Sequence, residues 1–445
     1  MYSKELSGLF TKLHVAVGDT ISISSKKTQA EGILMPRPDV GENDIIVIKK
    51  KDGYNIGIRY DKDMKISKIA AGSGNFSFPK AEAKQDKSLH NISLLYTGGT
   101  IGAKIDYVSG GVYMLTKPEE LLHEVPELSG IANIAVSNIT SIASEDMTYT
   151  GWQAMAKGIV NAFENGARGV VITHGTDTMH YTSAALSFML QDLNGPVVIT
   201  GAQRSSDRGS SDAFLNLICS ASVAAKSDFA EVGICMHSNS SDKECNLMRG
   251  VKVRKMHTSR RDAFRAINDE PVASVDQNGN ISYKSQYRKI RKPGTKVSAL
   301  TEFEKKVALV KAYPNSDPEI LEYYAGKGYK GIIIEAMGLG HVPTPASKAE
   351  YEWISHMKNA VDNGLVLGIT SQCLYGRVNP VVYRNLRLAS GTGAIYCEDM
   401  LPEVAYVKLG FLLGNYKADK AKQMLNVNIA GEITERSQYK DDFIE

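Results

Sequence analysis

Short apolar runs that stop at glycine alternate along most of this chain with longer mixed stretches. Ser93-Leu94-Leu95-Tyr96 opens onto Thr97-Gly98-Gly99-Thr100-Ile101-Gly102. Gly169-Val170-Val171-Ile172 opens onto Thr173-His174-Gly175-Thr176-Asp177-Thr178, and Pro196-Val197-Val198-Ile199-Thr200 leaves through Gly201-Ala202. Such runs read as strands buried on both faces. Ala132–Val136 is a further strand candidate, while Trp152–Asn165 and the more apolar Thr182–Leu193 read as helices. Lys117-Pro118-Glu119-Glu120 places proline and acids where the first turn of a helix favours them. From Lys306 the alternation resumes, with strands over Val307–Val310, Gly331–Glu335 and Leu365–Thr370 and helices over Pro318–Gly326 and Lys348–Asn363. Strands alternating with helices predict a mostly parallel sheet.

Residues 1–78 follow another pattern. The strand candidates His14–Val17, Thr20–Ile23, Gly32–Met35, Asp44–Ile48 and Tyr54–Ile58 follow one another between Gly and Asp turns. Closely spaced β segments of this kind predict a small β-barrel. No cluster of His, Cys or carboxylates points to chemistry there, so an accessory or docking role is expected. The expected division is an N-terminal barrel over 1–78, a polar linker over 79–90, a large α/β domain over 91–286, a basic hinge over 287–305 and a C-terminal α/β domain over 306–445.

Composition narrows the class. A chain of 445 residues exceeds one ordinary core. With 43% hydrophobic and 23% charged residues it reads as globular and soluble. No apolar run reaches the roughly 18 residues of a membrane span, and the N-terminus lacks an apolar signal segment. A cytoplasmic location away from any membrane is therefore expected. A net charge of +3 is too small to indicate nucleic-acid binding by itself. Cys219, Cys235, Cys245, Cys373 and Cys397 show no metal-ligand spacing and read as free thiols.

Ligands of open α/β sheets bind at the carboxyl ends of strands. Two such ends here offer hydroxyls in glycine turns, which points to a threonine nucleophile. These same segments, Thr97–Ile101, Thr173–Thr178 and Gly201-Ala202-Gln203-Arg204, resemble the signatures of the asparaginase/glutaminase family, from about Asn91 to the C-terminus. The resemblance implies two parallel-sheet α/β domains of the asparaginase type and hydrolysis of a side-chain amide. By motif match Thr100 is the nucleophile. Two bases are open: Tyr113 on the loop after Thr100, or Thr176 with Asp177 and Lys255. The last is matched by its distance to Asp262-Ala263-Phe264. Ser144-Glu145-Asp146-Met147 resembles the family's substrate loop, with Ser144, Glu145 and Asp177 gripping the substrate's α-groups. Glu145 stands where the family often has Gln, which leaves glutamine versus asparagine open. His174 reads as a packed turn histidine, Asp212 as a helix N-cap, and Arg249–Arg265 as a solvated basic face, with tRNA or partner contact the alternative.

A narrower resemblance joins the N-terminal segments Glu31–Arg37 and Gly53–Ile58 to Cys397-Glu398-Asp399-Met400-Leu401-Pro402-Glu403. Together they look like the D subunits of archaeal glutamyl-tRNA(Gln) amidotransferases. That implies ammonia release from glutamine or asparagine for a GatE-like partner subunit. The partner would use ATP and Mg, and would carry most of the contact with tRNA(Gln). It also implies a homodimer of this chain within a heterotetramer, and no cofactor or metal in the chain itself. The rivals are a free-standing asparaginase/glutaminase, against which the N-terminal block argues, and a noncatalytic tRNA-binding scaffold.

Overall fold

A computed structural model describes residues 2–25, 28–35, 44–50, 55–72, 86–99, 101, 103–105, 112–114, 125–205, 211–289, 295–437 and 439. Thr100, residues 36–37, 53–54 and 79–85, the helix start expected at Lys117 and hinge residues 290–294 lie outside the described residues, as does the side chain of Tyr113.

The chain opens with a helix that its strand-like pattern did not announce, α1 (Lys4–Lys12). Ser3 caps it by accepting from the Leu6 N–H at 3.2 Å, and its apolar stripe, Leu6 and Phe10, is buried. Five strands follow: β1 (Thr20–Ser24), β2 (Gln29–Leu34), β3 (Ile45–Lys49), β4 (Asn55–Arg59) and β5 (Lys65–Ala70). They form an antiparallel sheet in the order β4-β3-β2-β1-β5, and among the described residues β4 and β5 do not pair. The expected strand His14–Val17 is instead the turn from α1 into β1. His14 takes φ 50°, and the Asp19 carboxylate draws the turn closed by accepting from the Ala16 and Gly72 N–H groups. A short apolar run cannot by itself tell a strand from a packed turn. β5 escaped the reading because only Ile66 of it is buried.

The large domain runs β6 (Asn91–Gly98), the hairpin β7 (Ala103–Ile105) and β8 (Val112–Met114), β9 (Asn133–Ile142), α2 (Tyr149–Glu164), β10 (Gly169–Thr173), α3 (Met179–Met189), β11 (Leu190–Gln191), β12 (Val197–Thr200), α4 (Ala213–Lys226) and β13 (Val232–His237). β14 (Glu244–Arg249), β15 (Val253–Lys255), β16 (Phe264–Ala266), β17 (Ala273–Asp276) and β18 (Ile281–Tyr283) complete it. Its sheet has the order β18-β17-β14-β13-β12-β10-β6-β9, parallel from β9 to β13 and antiparallel beyond. Every residue of β10, β12 and β13 is buried. Alternation divides them between two cores: Ile172 and Ile199 pack with α2 and α3, while Val171 and Val198 pack toward α4.

After β19 (Ser298–Ala299), the C-terminal unit runs β20 (Val307–Lys311), α5 (Ile320–Gly326), β21 (Gly331–Ala336), α6 (Ile354–Asp362), β22 (Val366–Ser371), α7 (Arg384–Ser390), β23 (Ile395–Tyr396), α8 (Pro402–Asn415) and α9 (Ala418–Met424). Its four strands are parallel in sequence order. The core around α3 continues into α8, where Phe188 stacks on Phe411 at 6.1 Å between centroids. Burying each such ring contributes roughly 1.5–3 kcal/mol. This seam joins the two α/β units.

Candidate active site

Three strand exits and one loop meet at the carboxyl edge of the large sheet, and glycine is what lets them touch. Gly99 has φ +86°, and a Cβ there would lie 2.5 Å from the Gly175 nitrogen. A Cβ on Gly175 would lie 2.6 Å from the Ser144 Cβ and 2.7 Å from its hydroxyl. The turn leading to Thr100 thus rests on the turn after β10, and that turn rests on the loop carrying Ser144 and Glu145. Hydrogen bonds fix the stack. The Thr97 hydroxyl donates to the Thr173 carbonyl at 2.7 Å, and the Thr178 hydroxyl donates to the Ser144 carbonyl at 2.7 Å. Ser144 is buried, whereas Glu145 is exposed at the mouth.

Lys255, at the end of β15, reaches into this mouth. Its ammonium donates to the Thr176 hydroxyl at 2.8 Å and to the Asp177 carboxylate at 2.7 Å. The lysine side chain is 10% exposed and that of Asp177 66% exposed, so the pair runs from the protein interior to solvent. The Thr176 hydroxyl lies 3.5 Å from the Gln203 amide oxygen, and the Gln203 amide nitrogen is buried without a hydrogen-bond partner among the described residues. Gln203 stood inside the quoted motif, but no role was expected for it; a polar side chain at the exit of the next strand was the available signal. Of the expected residues, Ser144, Thr176, Asp177 and Lys255 are brought together, and Glu145 follows Ser144 with its side chain exposed. Tyr113 pairs through its backbone with Lys104 in the β7–β8 hairpin, just after the Thr100 turn.

His174 is locked away from the chemistry. Its Nδ1–H donates to the Gly175 carbonyl at 2.7 Å, and its Nε2 accepts from the Thr182 hydroxyl at 2.9 Å, which itself accepts from the Trp152 indole at 3.0 Å. Burial holds this imidazole neutral, with its pKa pushed down to about 4. Behind Asp177 on α3, His180 is pushed down to about 3 by burial and by the nearby Arg254 and Lys255 cations.

Two expectations need correction. Asp212 does hold the N-cap position of α4, but its side chain makes no cap hydrogen bond there; its carboxylate accepts from the Gln203 and Arg204 N–H groups at 3.0–3.1 Å and so shapes the β12 exit. The basic stretch is a solvated face only in part: Met256–Arg260 are exposed, but most of its cations are paired. Arg249 pairs with Glu231 and Asp269, Lys252 with Asp399 at 2.6 Å, Arg254 with Glu403 at 3.4 Å, Arg260 with Asp262 at 2.8 Å, and Arg261 with Asp242 at 2.5 Å. Most of those carboxylates come from distant segments, which a local charge count cannot see.

Among the described residues no group of three or more His, Cys, Asp or Glu is arranged to hold a metal ion. No described helix is long and apolar enough to cross a membrane.

Comparison with known proteins agrees with this architecture. Residues 91–289 match the family model "Asparaginase, N-terminal", residues 306–425 the "Glutaminase/Asparaginase C-terminal domain", and residues 15–69 the "GatD N-terminal domain". Among solved structures, the thermostable L-asparaginase from Thermococcus kodakarensis superposes with a TM-score of 0.68 at 29% identity, covering 77% of this chain and 99% of that one. L-asparaginase I from Vibrio cholerae gives 0.68 and 29%, covering 78% and 99%. The D subunit of the glutamyl-tRNA(Gln) amidotransferase of Pyrococcus furiosus is 49% identical, over 94% of this chain and 95% of its own length. Its counterpart in Methanopyrus kandleri is 44% identical, over 97% and 94%. The chain belongs to the family of glutamyl-tRNA(Gln) amidotransferase D subunits, amidohydrolase enzymes built on the asparaginase fold.

Proposed function

We propose that this chain hydrolyses the side-chain amide of glutamine or asparagine and supplies the ammonia to a tRNA-dependent amidotransferase. The observation that carries the reading is the contact of Lys255 with both Thr176 and Asp177, beside the glycine turn that leads into Thr100. Thr100 is the nucleophile: its oxygen adds to the amide carbon, and backbone N–H groups hold the oxyanion. Each such donor is worth about 2.7–4 kcal/mol. The C–N bond then breaks, the nitrogen gains a proton and leaves as ammonia. Water cleaves the acyl-threonine, releasing the free acid and restoring the hydroxyl. Thr176, Asp177 and Lys255 move the protons, with Tyr113 as the second base candidate. A positioned base contributes about 10²–10⁴-fold. Ser144, Glu145 and Asp177 hold the substrate's α-carboxylate and α-ammonium.

In this reading the chain needs no cofactor of its own. A GatE-like partner uses the ammonia with ATP and Mg to convert Glu-tRNA(Gln) to Gln-tRNA(Gln). It also carries most of the contact with tRNA(Gln), and a homodimer of this chain sits within a heterotetramer in the cytoplasm. The test is ammonia release from glutamine and asparagine by native and Thr100→Val chains, with and without the partner and Glu-tRNA(Gln). Native turnover should rise with partner and tRNA, and Thr100→Val should lose it. Unchanged turnover in Thr100→Val rejects the nucleophile, and full activity indifferent to partner and tRNA favours a free-standing asparaginase.

A further inference from the structure

The segment Cys397–Glu403 stood out in the sequence, yet nothing in the chemistry above uses it. In the structure it is the place where the C-terminal unit takes hold of the strand that carries Lys255. Asp399 precedes α8, and Glu403 lies in its first turn. The buried Lys252 ammonium donates to Asp399 at 2.6 Å, and Arg254 pairs with Glu403 at 3.4 Å. Successive side chains along an extended strand point to opposite sides. Lys252 and Arg254 accordingly reach the C-terminal carboxylates, while Lys255 reaches Thr176 and Asp177.

Both carboxylates are built into the fold. Asp399 also accepts from the Thr434 N–H at 3.0 Å and the Thr434 hydroxyl at 2.6 Å, with Arg377 3.8 Å away. Asn268, just beyond β16, donates to the Asp399 carbonyl at 3.2 Å, so the β15–β16 hairpin is gripped from both strands. Glu403 is 2% exposed, and the charged or titratable groups around it among the described residues are Arg254, His180 at 3.9 Å, Tyr181 and Glu335. The neutral imidazole of His180 offers no charge to balance it, so Arg254 is the cation that does. Asp177 lies three residues before His180, just ahead of α3, and His180 is within electrostatic reach of both Arg254 and Asp177. Asp177 is therefore the nearby exposed carboxylate open to an Arg254 that has lost Glu403 and swung across the strand.

We propose that Glu403, backed by Asp399, is a positioning residue for Lys255: it clamps β15 to the C-terminal unit and keeps the Arg254 guanidinium away from Asp177. Lys255 then has Asp177 to itself and stays directed at Thr176. The proposal rests on the reading that Lys255 takes part in amide hydrolysis. It also gives the C-terminal unit a direct hold on the amidase site.

The experiment compares glutamine hydrolysis by the full-length chain in its native form and as Glu403→Gln, Arg254→Gln/Glu403→Gln and Lys255→Met, well below the melting temperature of each. Glu403→Gln keeps the side-chain shape and strands the arginine. It should lower kcat about tenfold or more with KM within about twofold, in line with the cost of misplacing a catalytic group by a fraction of an ångström. The double variant, with no arginine left to compete for Asp177, should recover to within about threefold of native kcat. Native kcat in Glu403→Gln, or a double variant no better than the single, overturns the proposal. A KM effect without a kcat effect also overturns it. If Lys255→Met keeps native kcat, the underlying reading of the site fails; if it loses activity while Glu403→Gln does not, only the clamp fails.

Discussion

Ser144 and Gly175 are in contact because one of them has no side chain. The nearest approach to a Cβ at Gly175 would be 2.6 Å, closer than carbon atoms pack, so Gly175→Ala must push the Ser144 loop outward. The expected result is a KM for glutamine raised about tenfold or more, together with a stability loss of about 1–3 kcal/mol. Gly166 is the control. It also has positive φ, +83°, but open space surrounds its Cβ position. Gly166→Ala should cost about 1 kcal/mol in backbone strain and leave KM unchanged. Steady-state kinetics and denaturant titration of both variants decide it; equal KM values for the two would contradict the packing argument. The motif Thr173–Thr178 was plain in the sequence, but nothing in it says that its glycine faces a serine from the loop after β9.

At the scale of the element, β15 and its approach carry more charge than any surface strand needs. The reason is burial: Lys252 is 1% exposed against an Asp399 that is wholly covered. Burial alone pushes the Lys252 ammonium pKa down, and Asp399 opposes that shift. Removing one partner leaves a covered charge uncompensated, which costs about 3–5 kcal/mol. Lys252→Met should therefore destabilise the chain by that amount in equilibrium denaturation, and a loss below about 1 kcal/mol would show that Arg377 and Thr434 hold Asp399 without it. The basic stretch was legible as basic and its Lys255 was matched by motif. Its partners Glu231, Asp269, Asp399 and Glu403 lie on other elements, so a count of local charge read it as solvated. The same limit hid α1, whose apolar stripe gains its meaning only from the strands it covers.

Across the whole molecule, two buried histidines, His174 inside the large domain and His180 at its seam with the C-terminal unit, make stability depend on acid. In the unfolded chain His174 and His180 titrate near 6.5; folded, they titrate at about 4 and about 3. Above 6.5 both states are neutral and nothing is gained or lost. As pH falls below 6.5 the unfolded chain binds protons that the folded chain refuses, so stability drops until the folded values are reached. For His174 alone the shift corresponds to roughly 3 kcal/mol. Glu403, whose carboxyl burial pushes upward, works in the opposite sense as it takes up its proton, and so softens the loss around His180. The melting temperature should therefore fall steeply between pH 6.5 and about 4, as followed by thermal unfolding. A flat profile over that interval would mean that the two imidazoles are not held neutral.

The sequence by itself determined the strand-and-helix alternation, the glycine turns at the strand exits and the residues that carry their motifs. These are local properties, written in period, propensity and spacing. It also marked the N-terminal block as a separate small β unit, although its antiparallel order, α1 and the turn at His14 needed the folded core to define them. Only the tertiary structure decided that Ser144, Thr176, Asp177 and Lys255 share one mouth, that Gln203 adjoins it, and that Asp399 and Glu403 reach across the seam to the strand beneath Lys255. Each of those contacts joins segments far apart along the chain. Its geometry is set by how two sheets and the helices between them pack, and that appears in no window of sequence.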